Sequence, residues 1–172
     1  MDTILELYDA LRHLPDYLNY VAGYNLFLFY AVVFVIVFAE TGLVVTPFLP
    51  GDSLLFAVGA LAATAGSPLS MPLLLGLLIT AAVLGDAVNY AIGSRVGPAV
   101  FRYERSWLFN VKHLRRAQAF YEKYGSKTII LARFVPIVRT FAPFVAGIGK
   151  MEYRRFAIYN VVGAVAWVMI CT

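Results

Sequence analysis

Glu40, Asp52, Arg133 and Arg139 are four charged residues set inside otherwise apolar stretches, and their types suggest a division of labour. An arginine stays charged and offers a planar fork of donors that matches two phosphate oxygens at once. A carboxylate held partly out of water can take up and release protons near neutral pH. Helix N-termini, wherever the backbone breaks, add N–H donors for an anion. Two arginines for an anionic headgroup and two acids for protons make a coherent proton-coupled carrier of a phosphate-bearing lipid. Arg133 and Arg139 are therefore the candidate phosphate-binding residues, and Glu40 and Asp52 the candidate proton-coupling residues. The plainer alternative is that each acid pairs with an arginine and only clamps two parts of the chain together. Both roles hold for a pair that opens when a ligand arrives.

Asp86 and Asn160 are secondary candidates. Asp86 is equally suited to pairing with a nearby basic loop, and Asn160, like Trp167, more often serves packing or the membrane interface. Gly42, Gly51, Gly147 and Gly163 read as points of close backbone approach. Enzymatic chemistry finds little to stand on. HExxH is absent, and His13 and His113, the two histidines, both lie in polar segments. Gly51-Asp52-Ser53 does not complete the G-x-S-x-G turn of a nucleophilic serine. Cys171 is the single cysteine, which leaves no disulfide framework and no cysteine metal site. The expectation is a chain that is not an enzyme and holds neither metal nor cofactor.

The elements that must position these charges are membrane helices. Of the 172 residues 61% are hydrophobic and 14% charged, with a mean hydropathy of +0.76. A soluble domain carries about a quarter charged residues. The apolar residues form long runs, 24–39, 73–83 and 156–170, instead of stripes, and a helix apolar all round is a membrane span or a deeply buried one. Residues 2–20 read as an amphipathic surface helix kinked at Pro15. From 24 to 65 an apolar stretch is interrupted by Glu40, Pro47, Pro50, Gly51 and Asp52, so a span is followed by a broken or re-entrant helix. Residues 73–93 form the next span. Between Ser94 and Lys127 there are eight Lys or Arg against two Glu, which puts this loop on the cytoplasmic side and favours attraction to anionic lipid over nucleic acid. It should contain a helix near 112–124. Residues 129–149 have basic residues at both ends and a centre of Arg133, Pro136, Arg139 and Pro143. Crossing a core of about 30 Å twice needs about 40 residues, so this segment should dip in and return. Thr172 follows an apolar run without a flanking charge, which leaves open whether a further span follows.

The halves 24–93 and 129–172 share an order: apolar helix, Pro/Gly-broken charged segment, small-residue exit, true span. An odd number of crossings between them would make the repeat inverted, the arrangement that points to a transporter site near the midplane. The expected fold is all-α and polytopic, one membrane domain over 1–172, with two re-entrant broken segments in an inverted repeat.

The motifs FAETGLVVTPFLPGDSLLFAVGALA, GD-x-x-NY-x-IG at 85–93 and FYEKYGSKTIILARFVPIVRTFAPFVAGIGKMEYRRFAIYNVVGAVAW resemble the DedA family of bacterial inner-membrane proteins, part of the wider SNARE-associated/VTT group, over roughly residues 25–170. The resemblance implies re-entrant-loop flippases or scramblases of membrane lipids that depend on the proton-motive force. Undecaprenyl phosphate is the first substrate implied and a glycerophospholipid the second. The family's functional acids and arginines correspond to Glu40, Asp52, Arg133 and Arg139. Expected partners are membrane phospholipids or another anionic lipid and protons, with no nucleic acid, and a homo-oligomer is compatible. The competing readings are a proton-coupled transporter of a small ion or solute and a non-transporting scaffold.

Overall fold

Asn25 opens the first described helix. Its side chain accepts from the Leu28 N–H at 3.1 Å, satisfying one of the orphan donors of a helix start, and α1 runs over Leu26–Gly42. Its middle, Val32 to Val37, is β-branched and aromatic, a poor helix sequence in water. In hydrocarbon every backbone group must be satisfied within the segment, and that requirement overrides propensity. The structure, a computed structural model, describes residues 25–43, 51–96, 119, 122–123 and 125–172. The expected N-terminal amphipathic helix, Pro47 and Pro50, the greater part of the basic loop and most of its helix near 112–124 lie outside those residues.

Among the described residues five α-helices follow, α2 (Gly51–Ala63), α3 (Met71–Val96), α4 (Thr128–Ala132), α5 (Pro136–Ile148) and α6 (Tyr153–Cys171), with a single 3-10 turn over Gly125–Lys127 and no strand. Pro72 sits in the first turn of α3, where its missing N–H costs nothing, and the Ser70 N–H beside it donates to the Tyr30 hydroxyl at 2.9 Å. α3 has 26 residues and is about 39 Å long, enough to cross a core of about 30 Å. α6, with 19 residues, also passes the length and composition of a membrane span. Both exceed the expected 73–93 and 156–170 by a few residues. α2 and α5 have 13 residues each, about 20 Å, too short to cross.

Only a third of each long helix is buried within the protein. Outward-facing residues include Phe27 at 82% exposure, Phe56 at 71% and Ile170 at 71%. A soluble monomer does not display such a surface; a bilayer covers it. α3 is the central element, packed most extensively on α1 and α5 and touching α6 and α2. One apolar core joins α1, α2, α3 and the end of α6; a second joins α4, α5 and the start of α6.

One placement differs from the expectation. Glu40 is not in a broken segment but in the last turn of the continuous α1. In the second half, α4 ends at Ala132 in a turn whose first residue, Arg133, is still helical in its backbone, and α5 begins at Pro136 after Val135, extended as the residue before a proline is disposed to be. Pro143 interrupts nothing visible at this level: it lies inside α5.

Candidate functional site

α1 and α3 cross at two glycines, and that crossing brings their acids together. A Cβ on Gly42 would lie 3.3 Å from the Gly85 Cα, and a Cβ on Gly85 would lie 1.8 Å from the Thr41 hydroxyl oxygen. Only hydrogen fits at Gly85. Glu40, two residues before Gly42, and Asp86, directly after Gly85, are thereby held at one level of the fold, both buried. Asn89, one turn on, donates to the Thr41 carbonyl of α1 at 3.1 Å and to the Thr140 carbonyl of α5 at 2.8 Å. That double bond ties α1, α3 and α5 together just below the acids and occupies a carbonyl at the end of α1.

Arg139, in the first turn of α5, reaches two of the acids. Its Nη2 donates to Glu40 Oε1 and its Nη1 to Asp52 Oδ1 at 2.5 Å. The two carboxylates differ in setting: the Glu40 side chain is 2% exposed and that of Asp52, in the first turn of α2, 49%. Arg133, in the turn between α4 and α5, is enclosed. Its Nη2 donates to Asp86 Oδ2 and to Asn160 Oδ1, the latter at 2.6 Å, and the Asn160 amide donates onward to the Val83 carbonyl at 3.0 Å. Gly163 makes room for this arginine, since a Cβ there would lie 3.1 Å from its Cδ and Nε. Trp167 completes the arrangement: its indole N–H donates to Asp52 Oδ1 at 3.0 Å.

Glu40, Thr41, Asp86, Arg133, Arg139, Thr140 and Trp167 line a cavity of about 10 Å³, roughly the room of one water. Counting Asp52, which lies outside that lining, the cluster has three carboxylates to two guanidiniums, a formal excess of one negative charge.

All four principal charges therefore converge, but with partners the sequence does not assign. Glu40 and Asp52 both form their ion pairs with Arg139. Arg133 pairs with Asp86, which corrects the alternative of Asp86 as a partner for the basic loop, because Asp86 is inside the helix packing and buried. Asn160 and Trp167 are likewise part of the cluster and not only packing or interfacial residues. The spacing holds a signal for them: Asn160, Gly163 and Trp167 fall at i, i+3 and i+7, one face of α6. Among the described residues no group of three or more His, Cys, Asp or Glu is disposed to hold a metal.

Apolar helices whose outer faces need lipid, closed around paired charges, define a helical membrane protein with a polar interior. The VTT domain family model matches residues 49–172, a span that includes every cluster residue except Glu40, Thr41 and their helix. The chain is 54% identical to the protein DedA of Escherichia coli (strain K12) over 173 residues, covering 100% of this chain and 78% of that protein. It is 37% identical to the inner membrane protein YqjA of the same strain over 145 residues, 83% of this chain and 64% of that one. An uncharacterized membrane protein of Mycobacterium tuberculosis (strain ATCC 25618 / H37Rv) is 49% identical over 135 residues, 78% of this chain and 59% of that protein. No solved structure matches. The chain belongs to the VTT-domain, or DedA, family of membrane proteins.

Proposed function

We propose that this protein moves a phosphate-bearing lipid between the leaflets of the bacterial inner membrane, undecaprenyl phosphate first and a glycerophospholipid second, with protons as the coupled ion. It carries out no covalent chemistry in this reading. The observation that carries it is Arg139, an arginine whose two donor nitrogens are held by one buried and one half-exposed carboxylate. A phosphate oxygen competes for the same fork, and the exposed Asp52 is the carboxylate that can yield while Glu40 stays. The cavity of about 10 Å³ has no room for a phosphate group, so ligand entry requires that the Arg139–Asp52 pair open. This is a resting, closed arrangement. The excess of one carboxylate over the guanidiniums supports the proton: a proton taken up by the acids balances the cluster, and an arriving anion strengthens that demand.

In the same proposal α2 and α5, each too short to cross, are re-entrant segments entering from opposite faces in an inverted repeat. The basic loop over 94–128 is cytoplasmic. Arg133, enclosed by Asp86 and Asn160, is less accessible to a headgroup than Arg139.

The test is reconstitution in liposomes with labelled undecaprenyl phosphate or labelled phospholipid, with and without an imposed pH gradient. Gradient-dependent movement of the label across the bilayer is expected. Rates equal to protein-free liposomes for both lipids would end the proposal.

A further inference from the structure

Trp167 carries no charge, yet it meets both arginines and one acid of the cluster. It is 2% exposed. The guanidinium carbon of Arg139 lies 5.2 Å from its ring centroid and that of Arg133 5.9 Å, both within cation–π reach. Its N–H bonds the same Asp52 oxygen that Arg139 holds. Asp52 Oδ1 therefore has two donors of different fate. An incoming oxyanion competes first for Arg139, whose charged fork is a stronger donor than the neutral indole N–H.

We propose that Trp167 is the positioning residue of the Arg139 site: its ring carries the guanidinium, and its N–H retains Asp52 when an oxyanion takes that carboxylate's place. The inference rests on Arg139 as the anion receiver and assigns how that site opens without losing its geometry. In the closed state Asp52 has both donors, so losing the indole N–H is partly compensated by Arg139. Once the anion is bound, the indole is the donor that remains. Removing it costs more in the bound state than in the free one, and anion binding weakens.

The full chain in dodecyl maltoside is titrated calorimetrically with dihexanoylphosphatidic acid and, in parallel, with inorganic phosphate. Trp167→Phe keeps an aromatic face and deletes the donor. It should weaken binding roughly tenfold, the worth of one hydrogen bond to a charged group. In an Asp52→Ala background the same change should alter binding by less than about twofold, because no carboxylate remains to be held. Equal losses in both backgrounds, or no loss in either, would overturn the inference while leaving the reading of Arg139 intact. Binding of neither probe by the unmodified chain would overturn both. Binding of the short-chain lipid alone assigns recognition to a lipid headgroup; binding of both assigns it to the phosphate group itself. A second measurement avoids the fold question. With Trp107→Phe, Trp167 is the sole tryptophan of the two present. Its emission should shift on saturation with the probe that binds, and an unmoved spectrum at saturation would refute the positioning role.

Discussion

Replacing Asp86 by leucine should destabilise the protein severely, and replacing its partner as well should restore most of the loss. Arg133 is 6% exposed and its guanidinium is held by Asp86 and Asn160. Removing one partner of a buried ion pair costs about 3–5 kcal/mol, because a charge is stranded without water. Asn160 still offers its carbonyl oxygen, so the lower end, about 3 kcal/mol, is the expected loss. For a chain of this size each kcal/mol moves the melting midpoint by roughly 2–4 °C, giving about 6–12 °C. Asp86→Leu with Arg133→Met removes both charges at similar volume and should return near the starting midpoint. Asp52→Asn is the internal control: its side chain is 49% exposed, and a pair of that kind contributes less than about 1 kcal/mol. Thermal unfolding in detergent, followed by far-ultraviolet circular dichroism, compares the four chains directly. If Asp86→Leu melts with the wild type, or the double variant melts no higher than the single, the Arg133–Asp86 pair is not what holds this part of the fold together.

Arg139→Lys should impair lipid movement nearly as much as Arg139→Ala, since one ammonium cannot reproduce the fork that spans Glu40 and Asp52; full activity in the liposome assay would mean that only charge matters. Glu40→Gln should stay folded, because Arg139 keeps Asp52, but lose the response to a pH gradient while passive exchange persists; undiminished gradient-driven flipping would remove Glu40 as a proton carrier. Gly85→Ala should cost about 1–3 kcal/mol of stability, because its Cβ would fall 1.8 Å from the Thr41 hydroxyl; an unchanged melting midpoint would show that α1 and α3 do not cross this closely. Asn110→Cys should react with an impermeant maleimide only from the cytoplasmic face; labelling from outside intact cells would reverse the topology.

The four principal charges were legible because an ionisable residue in an apolar run is rare and must be paired or placed in a cavity. Their pairing was not. Whether Arg133 meets Asp52 or Asp86 depends on where helices cross, and those crossings are fixed by Gly42 against Gly85 and by Gly163 against the arginine stem. A glycine announces close approach but does not name its neighbour. Asp86 and Asn160 read as secondary for the same reason: their spans are apolar all round, and the i, i+3, i+7 spacing of Asn160, Gly163 and Trp167 marks a face without naming what lies across it. The proline signal was over-read at Pro143. A proline removes one helical hydrogen bond, and packing neighbours can absorb that loss within a continuous helix, whereas Pro136 coincides with a true start. The membrane class and helix order, by contrast, follow from composition and run length alone.

The size of the cavity at the charged cluster has an electrical consequence. A protein that keeps ionisable groups in the middle of an energised membrane risks offering protons a wire, and a wire needs several waters in file. The space among Glu40, Asp86, Arg133 and Arg139 is about 10 Å³, room for roughly one. Each acid there is in contact with a guanidinium. A lone water cannot pass a charge along a chain of neighbours. With these ion pairs in place, the space among the described residues holds no file of waters along which a proton could hop.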